Sequence, residues 1–193
     1  MLFKRDPKQL FWHDYLLKYT IVPLVPACVT PNALTIFRFL STPFVIYFLL
    51  YEHYSVGVIL FLIVSFSDAL DGSLARLRSQ ITEWGTLYDP IADKLLISSL
   101  ILFIVIKYIN PIFSIIIIFL EVLIVVGAYR HKLRGGIVSA NIFGKTKMCL
   151  QVAGVFILLL AVWSGFDLFI PVSVGTLSLA ILFAVISLFT YGF

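Results

Sequence analysis

The sequence predicts an all-α integral membrane protein with six transmembrane helices, and three observations carry that prediction. Of the 193 residues, 61% are hydrophobic and only 12% charged, with a mean hydropathy of +1.08, whereas soluble domains carry about a quarter charged residues. Six apolar runs recur along the chain, each near the roughly 20 residues that a helix needs to cross hydrocarbon. Basic residues gather in alternate loops, the pattern that sets orientation in a membrane.

Residues 1–25 form a juxtamembrane segment of different character. Leu10, Phe11, Tyr15 and Tyr19 fall near one helical face of residues 8–20, with Lys8, Asp14 and Lys18 elsewhere. Too short and too charged to span, this stretch predicts an amphipathic helix lying at the interface. Charges at Lys4, Arg5, Asp6 and Lys8, with no small-residue site after an apolar core, give no expectation of a cleaved signal. Pro23 and Pro26 break the segment, and residues 26–193 form the six-helix domain.

The apolar runs lie at about 34–51, 55–75, 89–109, 111–130, 147–164 and 169–190. Thr30-Pro31-Asn32 opens the first, and Asn110-Pro111 makes the third and fourth a tight hairpin. A polar stretch from Arg130 through Lys132, Arg134 and Gly144 to Lys147 joins the fourth to the fifth. Lys4, Arg5, Lys8, Lys18, Arg76, Arg78, Arg130, Lys132, Arg134, Lys145 and Lys147 all fall on one side of the six-span arrangement. The opposite loops hold Glu52, His53, Asn110 and Asp167, with Lys107 the only nearby base. Both termini and the basic loops are therefore expected in the cytoplasm. Cys28 and Cys149 lie in apolar surroundings and read as buried thiols, while His13, His53 and His131 read as surface residues.

Four aspartates break the apolar pattern. Asp68, Asp71, Gly72 and Ala75 share one face of the second helix, and Gly85, Asp89 and Asp93 recur every four residues on the third. A carboxylate at membrane depth has to be matched by a cation, a metal or water. One such residue is readily a structural partner for arginine, but four at this spacing predict a metal site. Oxygen ligands without His or Cys suit magnesium, manganese or calcium, and paired ions of this kind clamp phosphates. Arg76, Arg78, Lys145 and Lys147, on the same side, are candidate phosphate ligands. Small residues such as Gly72 also serve plain helix packing. Glu121, inside the fourth run, reads either as a site wall or as the partner of a basic side chain.

The pattern Asp68-x2-Asp71-Gly72-x2-Ala75-Arg76-x8-Gly85-x3-Asp89-x3-Asp93 resembles the signature of the CDP-alcohol phosphatidyltransferase family. Pro31-Asn32-x2-Thr35-x2-Arg38 resembles the segment that opens the first helix of these enzymes. Gly144-Lys145-x-Lys147-x3-Gln151 resembles the start of the fifth helix in the phosphatidylglycerophosphate synthase branch. That branch commonly carries Gly-Arg-Glu on its fourth helix, where this chain has Phe119-Leu120-Glu121.

The resemblance implies a homodimeric enzyme of the bacterial-type plasma membrane that moves a phosphatidyl group from a CDP-linked lipid to a small polar alcohol and releases CMP. The active site would face the cytoplasm. It implies two Mg2+ or Mn2+ ions on Asp68, Asp71, Asp89 and Asp93, with Asp93 also the catalytic base. Asn32 and Arg76 would hold the diphosphate, and Gly72, Ala75 and Gly85 would leave room for the cytidine. Arg130, Lys132, Arg134, Lys145 and Lys147 are candidates for the acceptor phosphate of glycerol 3-phosphate; inositol phosphate and serine are the alternative acceptors. Partners are then the two substrates and membrane lipids, with no nucleic acid. A cation transporter would need polar residues continuing across the membrane, and a prenyltransferase would space its aspartates differently.

Overall fold

The computed structural model describes residues 19, 25–26, 29–78, 82–133 and 142–191. Among these residues every regular element is helical. The elements are α1 (Pro31–Leu50), α2 (Tyr54–Leu77), α3 (Glu83–Leu100), α4 (Pro111–Leu133), α5 (Ile142–Ser164) and α6 (Phe169–Tyr191). Helix α3 runs on through a π-helical turn, Ile101–Val105, and a last α-turn, Ile106–Tyr108. Helices α1, α2, α5 and α6 are long and apolar enough to cross a membrane, and Pro111–Gly127 of α4 is a shorter apolar stretch. Helix α3 is not among them, and carries Glu83, Asp89, Asp93 and Lys94 in its 18 residues. The expected interfacial helix lies outside the described residues except for Tyr19.

Helices begin earlier than hydropathy alone suggests, because capping decides where they start. The Thr30 hydroxyl accepts the Ala33 N–H at 3.2 Å, and Pro31 takes the first helical position, where its missing N–H costs nothing. Thr82 caps α3 the same way, accepting the Gly85 N–H at 3.0 Å. This cap brings Gly85 into the helix, in register with Asp89 and Asp93. In α4, the Asn110 side chain accepts the Ile112 N–H at 2.8 Å ahead of Pro111.

The described residues pack as two compact units, one falling within 1–47 and 59–96, the other within 48–58 and 97–193. In the first, Val45, Phe61, Val64, Leu74, Ala92 and Leu96 are buried alongside a set of polar residues on α1, namely Thr35, Arg38, Ser41 and Thr42. Pro43 removes one α1 backbone donor, and the neighbouring Thr42 hydroxyl donates to the Arg38 carbonyl at 2.8 Å.

In the second unit, the corner after α1 closes by two crossed bonds. His53 N–H donates to Phe48 C=O at 2.8 Å, and Glu52 N–H to Leu49 C=O at 3.3 Å, with Glu52 in the left-handed region at φ 64°. Glu52 also accepts a bond from Lys107 at 2.8 Å, which holds its carboxyl below the usual range. Tyr54 and Tyr108 pair through their hydroxyls, and Trp163 donates to Ser55 at 2.9 Å. Aromatic residues with polar tips gather in this way at membrane interfaces. Within the π-turn, the Ile101 carbonyl also accepts the buried Ser114 hydroxyl of α4 at 3.1 Å.

Helices α5 and α6 approach closely at Gly154. A Cβ there would meet Leu177 Cγ at 2.7 Å and the Leu177 backbone nitrogen at 3.4 Å. The Ser173 hydroxyl donates to the Gly154 carbonyl at 2.7 Å. Without a hydrophobic drive between helices in lipid, such small-residue contacts hold them together. Gly154→Val is expected to lower stability by about 1–3 kcal/mol through overpacking, seen as a fall in the thermal midpoint in detergent. An unchanged midpoint would mean that α5 and α6 do not depend on this contact.

Candidate active site

Arg38 is the centre of the first unit. It lies midway along α1, one of the longest side chains in the protein, and is fully buried. An arginine cannot shed its proton, so burial obliges it to find anions. It finds three. Its Nη1 lies 3.0 Å from Asp68 and also donates to Asp93, while its Nη2 donates to Asp71. One guanidinium thus binds α2 and α3 to α1. Asp71 is nearly sealed, with 4% of its side chain exposed, and Asp68 is open at 39%.

The fourth aspartate is held separately. Thr35, one turn before Arg38, donates its hydroxyl to Asp89. A further turn back, Asn32 accepts the Thr82 hydroxyl at 2.8 Å through its side-chain oxygen. Asn32, Thr35 and Arg38 thus line one face of α1 at intervals of three and reach α2, α3 and the α3 cap. Gly85 sits beside them. A Cβ there would lie 3.1 Å from Asn32 Oδ1, 3.1 Å from Thr82 Oγ1 and 3.5 Å from Asp89 Oδ2. The missing side chain leaves a small cradle walled by three oxygen atoms.

The donor set is made only of oxygen, which fits a hard divalent cation, and three of its four carboxylates already gather on one cation. They stand around a guanidinium, however. Among the described residues no three acidic, His or Cys side chains come together at the separation of a single ion.

The basic residues divide by role. Arg78 donates to the Val25, Val29 and Pro26 carbonyls at 2.7, 2.9 and 3.3 Å, tying the end of α2 to the chain before α1. Arg76 is half-buried and lies 3.5 Å from Ser73 Oγ. In the second unit, Lys147 is buried and paired with Glu121, and Gln151 donates to the same Glu121 oxygen at 2.9 Å. Glu121 is therefore the partner of a basic side chain. Lys145 and Arg130 are exposed, the side chain of Lys132 is not described, and Arg134 lies outside the described residues. Ala75 is half-buried on α2, and Gly72 lies in the same helix one residue after Asp71.

Sequence reasoning gave no task to Arg38, Thr35 or Thr82. The available signal was Arg38 itself, a lone cation inside an apolar run, three residues after Thr35 and six after Asn32.

The family model for CDP-alcohol phosphatidyltransferase matches residues 28–190, and the chain belongs to that family. Among its relatives are enzymes named CDP-diacylglycerol–glycerol-3-phosphate 3-phosphatidyltransferase. That of Bacillus subtilis (strain 168) is 39% identical over 106 residues, covering 54% of each chain. That of Wigglesworthia glossinidia brevipalpis is 29% identical over 160 residues, 77% of this chain and 84% of the relative. That of Mycoplasma genitalium is 33% identical over 150 residues, 64% of this chain and 61% of the relative. The match thus spans about half the length of the first relative and most of the second.

Arg78→Ala removes three hydrogen bonds from a charged donor and is expected to lower stability by roughly 1–2 kcal/mol, seen as a fall in the thermal midpoint in detergent. An unchanged midpoint would mean that these three bonds do not hold the end of α2 to the chain before α1.

Proposed function

We propose that the chain transfers the phosphatidyl group of CDP-diacylglycerol to glycerol 3-phosphate and releases CMP. The observation that carries this reading is the gathering of Asp68, Asp71 and Asp93 on Arg38, with Asp89 held beside the Gly85 cradle, inside a chain that matches the family over residues 28–190. The relatives' names supply the donor and the acceptor.

Asp68, Asp71, Asp89 and Asp93 would hold the divalent cations, magnesium or manganese, whose charge when bound neutralises the diphosphate. Arg76 and Asn32 hold the diphosphate oxygens, and Gly72, Ala75 and Gly85 leave room for the cytidine. Asp93 takes the proton of the acceptor hydroxyl as that oxygen bonds to the lipid-bearing phosphorus. The bond from this phosphorus to the CMP oxygen breaks, and CMP departs with the electron pair. Lys147 spends its charge on Glu121, so Arg130, Lys132, Arg134 and Lys145 remain to bind the acceptor phosphate. The protein spans the membrane six times as a homodimer, with its active site facing the cytoplasm, in a bacterial-type plasma membrane. Segregated basic loops and four span-length helices support that topology.

Purified protein with CDP-diacylglycerol, Mg2+ and glycerol 3-phosphate is expected to release CMP, and EDTA to stop it. Release with inositol phosphate or serine but not glycerol 3-phosphate would move the chain to another acceptor. No release with any of the three would contradict the reading. Asp93→Asn is expected to fold and bind CDP while losing at least about 100-fold in kcat, the usual scale of general-base loss; retained turnover would remove Asp93 from that role.

A further inference from the structure

Arg38 does more than pay for its own burial. Asp68, Asp71 and Asp93 approach one another at membrane depth, where like charges repel strongly. The guanidinium supplies the only opposite charge among the described residues that is shown in contact with all three. It meets them through Nη1 and Nη2 alone, and its Nε is buried with no partner. Asp68 and Asp93 share Nη1 while Asp71 takes Nη2, and among the described residues no three acidic, His or Cys side chains form a group fit for a single ion.

We propose that Arg38 is the resident counter-cation of the aspartate cluster, a positioning residue that keeps the site assembled without metal and that a divalent cation must compete with. The inference rests on the reading of these aspartates as metal ligands. Three carboxylates and one guanidinium carry a net charge of −2, and Asp89 brings it to −3. The cluster therefore stays anionic enough to attract divalent cations while being held by a charge of its own. Arg38 also weakens each ion's attraction to the carboxylates, so the site is assembled at a cost in metal affinity. Charge is one part of this effect and the bridging geometry is the other. A lysine in place of Arg38 keeps the charge but has no fork with which to span three carboxylates.

The test uses the purified full chain, with Mn2+ binding followed by electron paramagnetic resonance and folding by thermal unfolding. Wild-type protein stripped with EDTA is expected to unfold cooperatively, with a midpoint close to that of the Mn2+-loaded form. Arg38→Gln is expected to unfold at lower temperature in EDTA, to regain most of the loss in Mn2+, and to bind Mn2+ roughly tenfold or more tightly, because a like charge beside the ion has gone. Arg38→Lys is expected to stay within about threefold of the wild-type Mn2+ affinity while losing midpoint in EDTA. Arg38→Gln that binds Mn2+ no better than wild type would overturn the proposal and leave the metal reading intact. Should that variant not fold, loss of cooperative unfolding by wild-type protein in EDTA would equally overturn it. Failure of the wild-type chain to bind Mn2+ at all would overturn the metal reading, and the proposal with it.

Discussion

A guanidinium sealed inside α1 with three aspartates around it is the interaction on which the first unit depends. Burying Arg38 without anions would leave an uncompensated charge costing several kcal/mol, and burying the aspartates without a cation would be at least as unfavourable. Each half of the arrangement removes the other's penalty. Because the carboxylates come from α2 and α3 and the cation from α1, the pairing fixes how three helices meet. It also leaves Asp68, the most open of the three, facing outward.

The same economy runs along the rest of the α1 face. Thr35 steadies Asp89, and Asn32 reaches the Thr82 cap that starts α3. A helix start, a glycine cradle and a carboxylate are thereby set by one stripe of polar side chains. The second unit solves its own charge problem in a similar way, with Lys147 and Gln151 sharing Glu121. That pairing leaves Lys147, which sequence alone offered as a phosphate ligand, already matched by a carboxylate.

Much of this was legible in the sequence, and what was not has a physical cause. The aspartates announced themselves because a carboxylate in an apolar run needs explanation, and their spacing by three and four put them on two helix faces. Helix starts were misjudged by hydropathy, since Thr30 and Thr82 draw polar residues into α1 and α3 and α5 absorbs Gly144 and Lys145. The partners of Arg38 lie 30 to 55 residues away in sequence, and those of Glu121 26 and 30 residues away. Periodicity along one helix carries no information about which cation another helix will present. The π-turn at Ile101–Val105 left no mark in the apolar run that contains it.

The central claim is that the four aspartates form one cation-binding site that serves transfer from a CDP-linked lipid. Locating Mn2+ by its anomalous scattering in crystals of the protein grown with CDP-diacylglycerol tests this most directly. Two manganese signals are expected between α2 and α3, the pair of ions sharing Asp68, Asp71, Asp89 and Asp93 between them and lying beside the diphosphate. A signal elsewhere in the protein, or a diphosphate bound away from these residues, would contradict it.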